Sequence, residues 1–369
     1  MEPFTYDGLP ARVVFGHGTL ARLAEEAERL GISRALVLST PGRASQAREA
    51  AGRLGGRAAG IFAGAEMHTP VEATEKALKT VRKTGADGLV AIGGGSTIGL
   101  GKAVAARTDL PQIAVPTTYS GSEMTPILGE TAGGVKTTRR DLKVLPETVI
   151  YDVELTLALP PKVAGPSGMN AVAHAVEGLY AEARNPVTSL MAEEGIRALA
   201  AALPAIAADA SDREARGQAL YGAWLCGMVL GAVGMALHHK LCHVLGGAFG
   251  LPHAETHTIV LPHAAAYNAP AAPEAMARAA RALAAADAAA ALYELAGQLG
   301  APLALKDIGM PAEGLDRAAE LAVANPYWNP RRIERDAVRG LLDDAWHGSP
   351  PRPQAHAAAV DGAGLTRME

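Results

Sequence analysis

Aromatic residues are scarce, at 4% of 369, and neither sign of charge dominates: 34 Lys and Arg against 38 Asp and Glu leave a formal net charge of −4. A chain without a basic excess has little with which to neutralise a phosphate backbone, which argues against nucleic acid as its main partner. The 2 cysteines, Cys226 and Cys242, both in apolar surroundings, are too few for a disulfide framework. The start, Met1-Glu2-Pro3, lacks the basic stretch and apolar run of a secretory signal, so a reduced cytoplasm is the expected compartment. Uncharged apolar runs are few as well. The exception is Leu220 to Leu237, which contains Gly227-x-x-x-Gly231, a spacing that packs helices in membranes. No second such run accompanies it, glycines dilute it, and it leads directly into His238-His239-Lys240. A buried helix of a globular core is therefore expected, with no membrane partner.

The composition that remains, 49% hydrophobic and 20% charged, is that of a folded chain, and its length points to two domains. Up to about residue 150, strand-like and helix-like runs alternate. Ala35–Ser39, Gly88–Ile92, Gln112–Pro116 and Val149–Tyr151 read as short apolar strands, and Thr74–Thr84 as an amphipathic helix. That alternation predicts a parallel α/β sheet. Alanine-rich helical stretches then take over, among them Glu193–Leu203 and Pro273–Leu299. A boundary near Leu159-Pro160-Pro161 divides the chain into an α/β unit, 1–157, and an all-helical unit, 158–369, whose Pro-, Ala- and Gly-rich tail from Pro350 is expected to be loose.

Two loops follow predicted strands. Gly93-Gly94-Gly95-Ser96-Thr97 opens a helix-like segment, where glycines admit a phosphate to backbone amides at a helix N-terminus. It is not a P-loop: Ser96 stands where the first glycine of that motif would be, and Ala103 follows Gly101-Lys102. Taken alone, a glycine turn is more often just a tight connection, but its place at the carboxyl end of a predicted parallel strand favours a ligand. Thr117-Thr118-Tyr119-Ser120 ends the next strand and could simply cap a helix, but beside the glycine turn it fits a nucleotide's ribose and phosphate. The first strand ends at Ser39-Thr40 without the acidic residue that favours NAD, so either NADH or NADPH is expected, with Arg43 available to a 2′-phosphate.

The most unusual feature is a crowd of histidines. Of 11 in the chain, His238, His239, His243, His253, His257 and His263 lie close together. Asn170 and His174, His239 and His243, and His253 and His257 form i, i+4 pairs, so each pair shares a helical face where the chain is helical. A metal centre, an acid–base cluster and an anion site all remain open.

At these residues the chain resembles the iron-containing alcohol dehydrogenase family. The likeness is carried by GGGSTIGLGKA at 93–103, PTTYSGSEMTP at 116–126, GMNAVAHAVEGLYA at 168–181 and HHKLCHVLGGAFGLPHAETHTIVLPH at 238–263. It implies a dinucleotide-binding α/β domain followed by an all-α domain, a dehydroquinate synthase-like architecture, with the site between them and a homodimer as the assembly. The resemblance assigns Gly93, Gly94, Gly95, Ser96, Thr97, Thr117, Thr118, Ser120 and Ser39 to the cofactor. His174, His239 and His253 match three of the family's metal-ligand positions. Asn170 stands where the fourth, an Asp, is usual, and Gly99 where another Asp is usual.

Three imidazoles and an amide leave a divalent charge uncompensated, so a metal is expected to be dispensable. The wording of these segments, with Asn325-Pro-Tyr-Trp-Asn-Pro-Arg331, is similar to a subgroup that reduces a carbon–carbon double bond in an unsaturated keto-dicarboxylate, unsubstituted or chlorinated, during aromatic-compound breakdown. His243, His239, His253, His174 and Lys240 are the candidate catalytic residues, and Asn170, His257, Tyr327 and Arg139 the candidate substrate contacts. Lys136, Arg139, Arg140 and Lys143 add positive charge suited to a carboxylate, although Arg139-Arg140 could equally be an exposed loop. Two rivals stand beside this reading: a metal-dependent alcohol or polyol dehydrogenase, and a non-catalytic metal-binding protein.

Overall fold

The computed structural model describes residues 3–133, 135–325 and 327–352, with the backbone alone for Val135 and Lys136. The tail expected to be loose lies outside the described residues from position 353 on, and so does the Lys136 side chain. In the first half β1 (Arg12–Gly16), α1 (Leu23–Arg29), β2 (Ala35–Leu38), α2 (Ala44–Leu54), β3 (Ala58–Phe62), α3 (Val71–Thr84), β4 (Gly88–Gly93), α4 (Gly95–Thr108) and β5 (Gln112–Pro116) alternate. An antiparallel hairpin, β6 (Ile127–Ala132) and β7 (Val135–Arg140), interrupts before β8 (Thr148–Asp152) rejoins the sheet. The sheet has six strands in the order β1-β8-β5-β4-β2-β3, all parallel. From β2 the chain moves outward to β3 and then returns across β2 to β4. The crossovers diverge there and open a crevice at the carboxyl ends of the strands, where sheets of this kind bind ligands.

The expected parallel sheet is present, with more strands than the apolar runs marked. Those runs correspond to β2, β4, β5 and β8, which are buried throughout. The others escape the pattern for physical reasons. β1 and β3 are edge strands with mixed burial, and β7 is a polar strand of an exposed hairpin. Alternate side chains cover opposite faces. Val37, Val90, Ile92 and Ile113 pack under α1 and α2. Leu36, Leu38 and Leu89 pack under α3 and α4. On that second face, Ala91, Ala114, Val149 and Tyr151 join the core of the helical half, so the two halves share one hydrophobic interior.

The helical half contains α5 (Pro161–Tyr180), α6 (Pro186–Ala208), α7 (Arg213–Ala232), α8 (Leu237–Phe249), α9 (His253–Asn268), α10 (Pro273–Ala282), α11 (Ala288–Gln298), α12 (Gly314–Val323) and α13 (Arg335–His347). The alanine-rich stretch Pro273–Leu299 is two helices, not one. Ala284 adopts φ 54°, and the Asp287 side chain caps α11 by accepting from Ala290 N, so a local cap overrides uniform alanine propensity.

The apolar run Leu220–Leu237 is likewise divided, between the end of α7 and the first residue of α8. Among the described residues no single helix is long and apolar enough to cross a membrane. α7 and α8 together would be, but they are bent by 95°. The small-residue spacing has another use. A Cβ on Gly227 would lie 2.6 Å from the carbonyl oxygen of Gly121, and one on Gly231 would lie 2.7 Å from that of Met124. α7 therefore lies directly against the loop that follows β5. Lys102 holds that loop from the other side, its buried Nζ donating to the carbonyls of Ser122, Thr125 and Ile127 and approaching the Thr125 hydroxyl.

Gly227→Val is expected to lower stability by about 1–3 kcal/mol through overpacking of this contact. Urea unfolding followed by circular dichroism reads the loss.

Candidate active site

Three helices converge on the histidines: the middle of α5 and the first turns of α8 and α9. α8 starts without a capping side chain of its own, since Ala236 occupies the N-cap. Glu177 on α5 supplies what is missing. Its fully buried carboxylate accepts from the backbone N–H of Ala236 at 2.9 Å, His238 at 2.8 Å and His239 at 3.4 Å. An anion there satisfies amides that have no intrahelical partner and sits at the positive end of the helix dipole. The same carboxylate lies 2.6 Å from His239 Nδ1. A carboxylate only accepts, so Nδ1 directs a proton at Glu177 and Nε2 is the nitrogen turned away from it. That Nε2 is buried without a protein partner among the described residues.

Around His239 the rings are close. His174 stacks on it with centroids 5.0 Å apart, His257 stands edge-on at 4.9 Å, and His243 lies at 6.5 Å. His253 packs 4.3 Å from His257, whose Nδ1 is 2.9 Å from His238 Nε2. Cys242 Sγ lies 3.7 Å from that same His238 nitrogen. Burial, reinforced by neighbouring imidazoles, holds His174, His238 and His257 well below the ordinary histidine value, so all three stay neutral near pH 7. His243 and His253 are exposed instead. With Cys242 and Gly246 they line one wall of a cleft, and His68 and Thr131 of the sheet half line the other.

Asn170 lies one turn before His174, and Asn170 Oδ1 and His174 Nδ1 are both buried without partners among the described residues. Lys240 Nζ sits 5.6 Å over the Tyr327 ring, whose buried hydroxyl also has no partner among the described residues. His257 is enclosed among the other imidazoles. Arg139 is placed on the hairpin, 3.6 Å from Glu130, which also pairs with Arg107 at 2.8 Å. Arg140 donates to the Gly231 carbonyl. At the sheet edge Ser39 follows β2, Gly93–Thr97 run from the end of β4 into the first turn of α4, and Thr117, Thr118 and Ser120 follow β5. A Cβ on Gly94 would come within 3.0 Å of the Thr118 side chain, so the absence of a side chain there eases the close approach of the two loops. Gly94 caps α4 with no side chain of its own, which leaves the helix N-terminus suited to an anion, and Ser39 Oγ and Thr97 Oγ1 are buried without partners among the described residues.

The set Asn170, His174, His239 and His253 suits a divalent ion in donor type but not in charge. The carboxylate beside it, Glu177, is already engaged by backbone amides and His239 Nδ1. Glu177 and His238 were not singled out from the sequence. Glu177 continues the face of Asn170 and His174 at i+7 and i+3, and that spacing is the signal that would have found it.

Two family models match the chain: iron-containing alcohol dehydrogenase over residues 10–153, and the C-terminal part of the Fe-containing alcohol dehydrogenase family over residues 165–346. The maleylacetate reductase of Rhizobium sp. (strain MTP-10005) is 57% identical over 95% of this chain and 100% of its own length. That of Sphingobium indicum is 59% identical over 94% of this chain and 99% of its own. The crystal structure of maleylacetate reductase from Agrobacterium tumefaciens superposes with a TM-score of 0.92 at 57% identity, covering 95% of this chain and 100% of that one. A 1,3-propanediol oxidoreductase superposes with a TM-score of 0.87 at 28% identity, covering 92% of this chain and 100% of that one.

Burial also pushes His263 down to about 4. Together with His174, His238 and His257 it is protonated near pH 6.5 in the unfolded chain but not in the folded one. The unfolded state therefore binds more protons, and stability falls as pH drops from about 6.5 towards 4, by about 1.4 kcal/mol per pH unit for each such proton. Urea midpoints at neutral pH and near pH 5 read this decline, which His263→Gln is expected to flatten. Glu177→Gln is expected to cost about 3 kcal/mol, because it sets an amide group against donors that a carboxylate satisfied. The same urea titration at neutral pH measures it.

Proposed function

We propose that this chain, which belongs to the iron-containing alcohol dehydrogenase family, uses NADH or NADPH to reduce the carbon–carbon double bond of maleylacetate, giving 3-oxoadipate. The near full-length identity to reductases of that name supports the substrate. The observation that carries the reading in the structure is the donor set: neutral imidazoles beside an amide, Asn170, with the neighbouring carboxylate of Glu177 turned towards α8. That is a pocket of hydrogen-bond donors and acceptors, better matched to an anionic keto acid than to a metal-activated alcohol.

A bound NADH or NADPH supplies the hydride. Gly93, Gly94, Gly95, Ser96 and Thr97 at the start of α4 would hold its diphosphate, with Thr117, Thr118, Ser120 and Ser39 along the same sheet edge for the sugars. Addition at the alkene carbon β to the ketone builds negative charge on the ketone oxygen as an enolate, and a proton then goes to the carbon between them. His239, oriented by Glu177, and His174 stacked against it are assigned to the enolate oxygen. His243 and His253 line the cleft at its exposed side, so one of them is assigned to deliver the proton. Lys240 and Tyr327 are assigned to a substrate carboxylate, with Asn170 as a further hydrogen-bonding group and His257 positioning the rings. Arg139 stays engaged with Glu130 in this account. A homodimer is proposed as the assembly.

Oxidation of NADH and NADPH in the presence of maleylacetate, with and without a chelator, is the direct test. Consumption that persists in the chelator is expected. A large loss restored by metal would favour a metal-dependent alcohol dehydrogenase, and failure to bind either nucleotide would favour a non-catalytic metal-binding protein. His243→Ala is expected to lower kcat about 100-fold if His243 rather than His253 delivers the proton, measured by steady-state kinetics beside His253→Ala.

A further inference from the structure

The wall of the cleft opposite His243 and His253 is made by a strained segment. His68 has φ 64° and Thr69 has φ 48°, two adjacent residues other than glycine in the left-handed region, where a β-branched threonine is especially disfavoured. The neighbouring hairpin holds them there. The Thr131 hydroxyl donates to the His68 carbonyl at 3.1 Å, Thr131 N donates to the Thr69 carbonyl at 3.2 Å, and Pro70 bridges to Thr131. Strain that the surroundings enforce at a ligand cleft is a mark of a positioned side chain. A second constraint comes from α4. A Cβ on Gly99 would lie 2.4 Å from Thr69 Oγ1, so a side chain at position 99 would force the Thr69 side chain, next to His68, to move.

We propose that His68 is a substrate-binding residue that takes one carboxylate of the dicarboxylate from the sheet side of the cleft, and that Gly99 and Thr69 position it. This rests on the reductase reading above. A substrate with a carboxylate at each end needs a donor at each end. Lys240 belongs to the helical half, and His68 lies across the cleft from that half's proton-delivering histidines. Maleylacetate would then span the two halves, with its reacting carbons between the walls.

The test is steady-state kinetics of the full chain with NADH, comparing wild type with His68→Ala, His68→Gln and Gly99→Ala. Loss of a hydrogen bond to a charged group is expected to raise the KM for maleylacetate roughly 10-fold or more in His68→Ala. The KM for NADH and kcat should stay within about twofold, and His68→Gln, which keeps a donor, should recover most of the loss. Gly99→Ala is expected to raise the same KM without touching the substrate. A maleylacetate KM unchanged in His68→Ala, or a rise confined to NADH, overturns the assignment of His68. An unchanged KM in Gly99→Ala overturns the positioning by Gly99. A wild-type chain that does not turn maleylacetate over removes the reductase reading and this inference with it, before any variant is compared.

Discussion

Glu177 accepts hydrogen bonds from three backbone amides at the start of α8 and from the ring of His239, and the order of the site follows from those four contacts. Nothing in the uncharged run from Leu220 to Leu237 requires a helix to stop at Ala232, and Ala236 offers no cap of its own. The carboxylate takes the amides that a new helix leaves unpaired, so α8 begins at Leu237 and departs at 95° from α7. That direction places His239 and His243 in the cluster. The bond to Nδ1 then fixes which nitrogen of His239 is left facing the other rings. A neutral residue at 177 would leave both the helix start and the ring orientation unsupported.

Around this anchor the histidines divide by environment. His174, His238 and His257 are buried among one another and stay neutral, whereas His243 and His253 stand at the solvent side of the cleft. One fold thus supplies enclosed rings and cleft-lining rings side by side, while Glu177, the carboxylate beside them, is taken up by the amides of α8 and by His239. The sheet half contributes the loops at the carboxyl ends of its strands, where the cofactor is proposed to sit. Its glycine turn and hydroxyl loop approach closely at Gly94, which has no side chain to crowd Thr118, and α7 presses on that loop through Gly227. The glycine spacing that resembles a membrane-helix motif therefore joins the two halves of the site.

Much of this was legible in the chain, and the remainder was hidden for identifiable reasons. Strands buried on both faces are apolar runs, so β2, β4, β5 and β8 and the loops at their ends could be read directly. Edge strands and the polar hairpin carry no such signature, and the break between α10 and α11 depends on one capping aspartate within a run of alanines. The i, i+4 histidine pairs were visible because α5, α8 and α9 are regular. Glu177 was not, because a single glutamate in a helix looks like a surface residue and its partners lie 59 to 62 positions away. Arg139 shows the reverse case: its charge is plain in the sequence, but its neighbour across the hairpin, Glu130 at 3.6 Å, is seen only in the structure. His68 carries no sequence signal either, since its backbone strain depends on a strand more than 50 residues further on.

The central claim is that hydride reaches a carbon–carbon double bond and not a carbonyl. NADH deuterated at the transferred position, incubated with the chain and maleylacetate, tests it by the site of the label in the product. Deuterium on the carbon β to the ketone of 3-oxoadipate, seen by NMR, is the predicted result. Deuterium on a carbinol carbon, with the double bond intact, would contradict it and mark the chain as a carbonyl reductase.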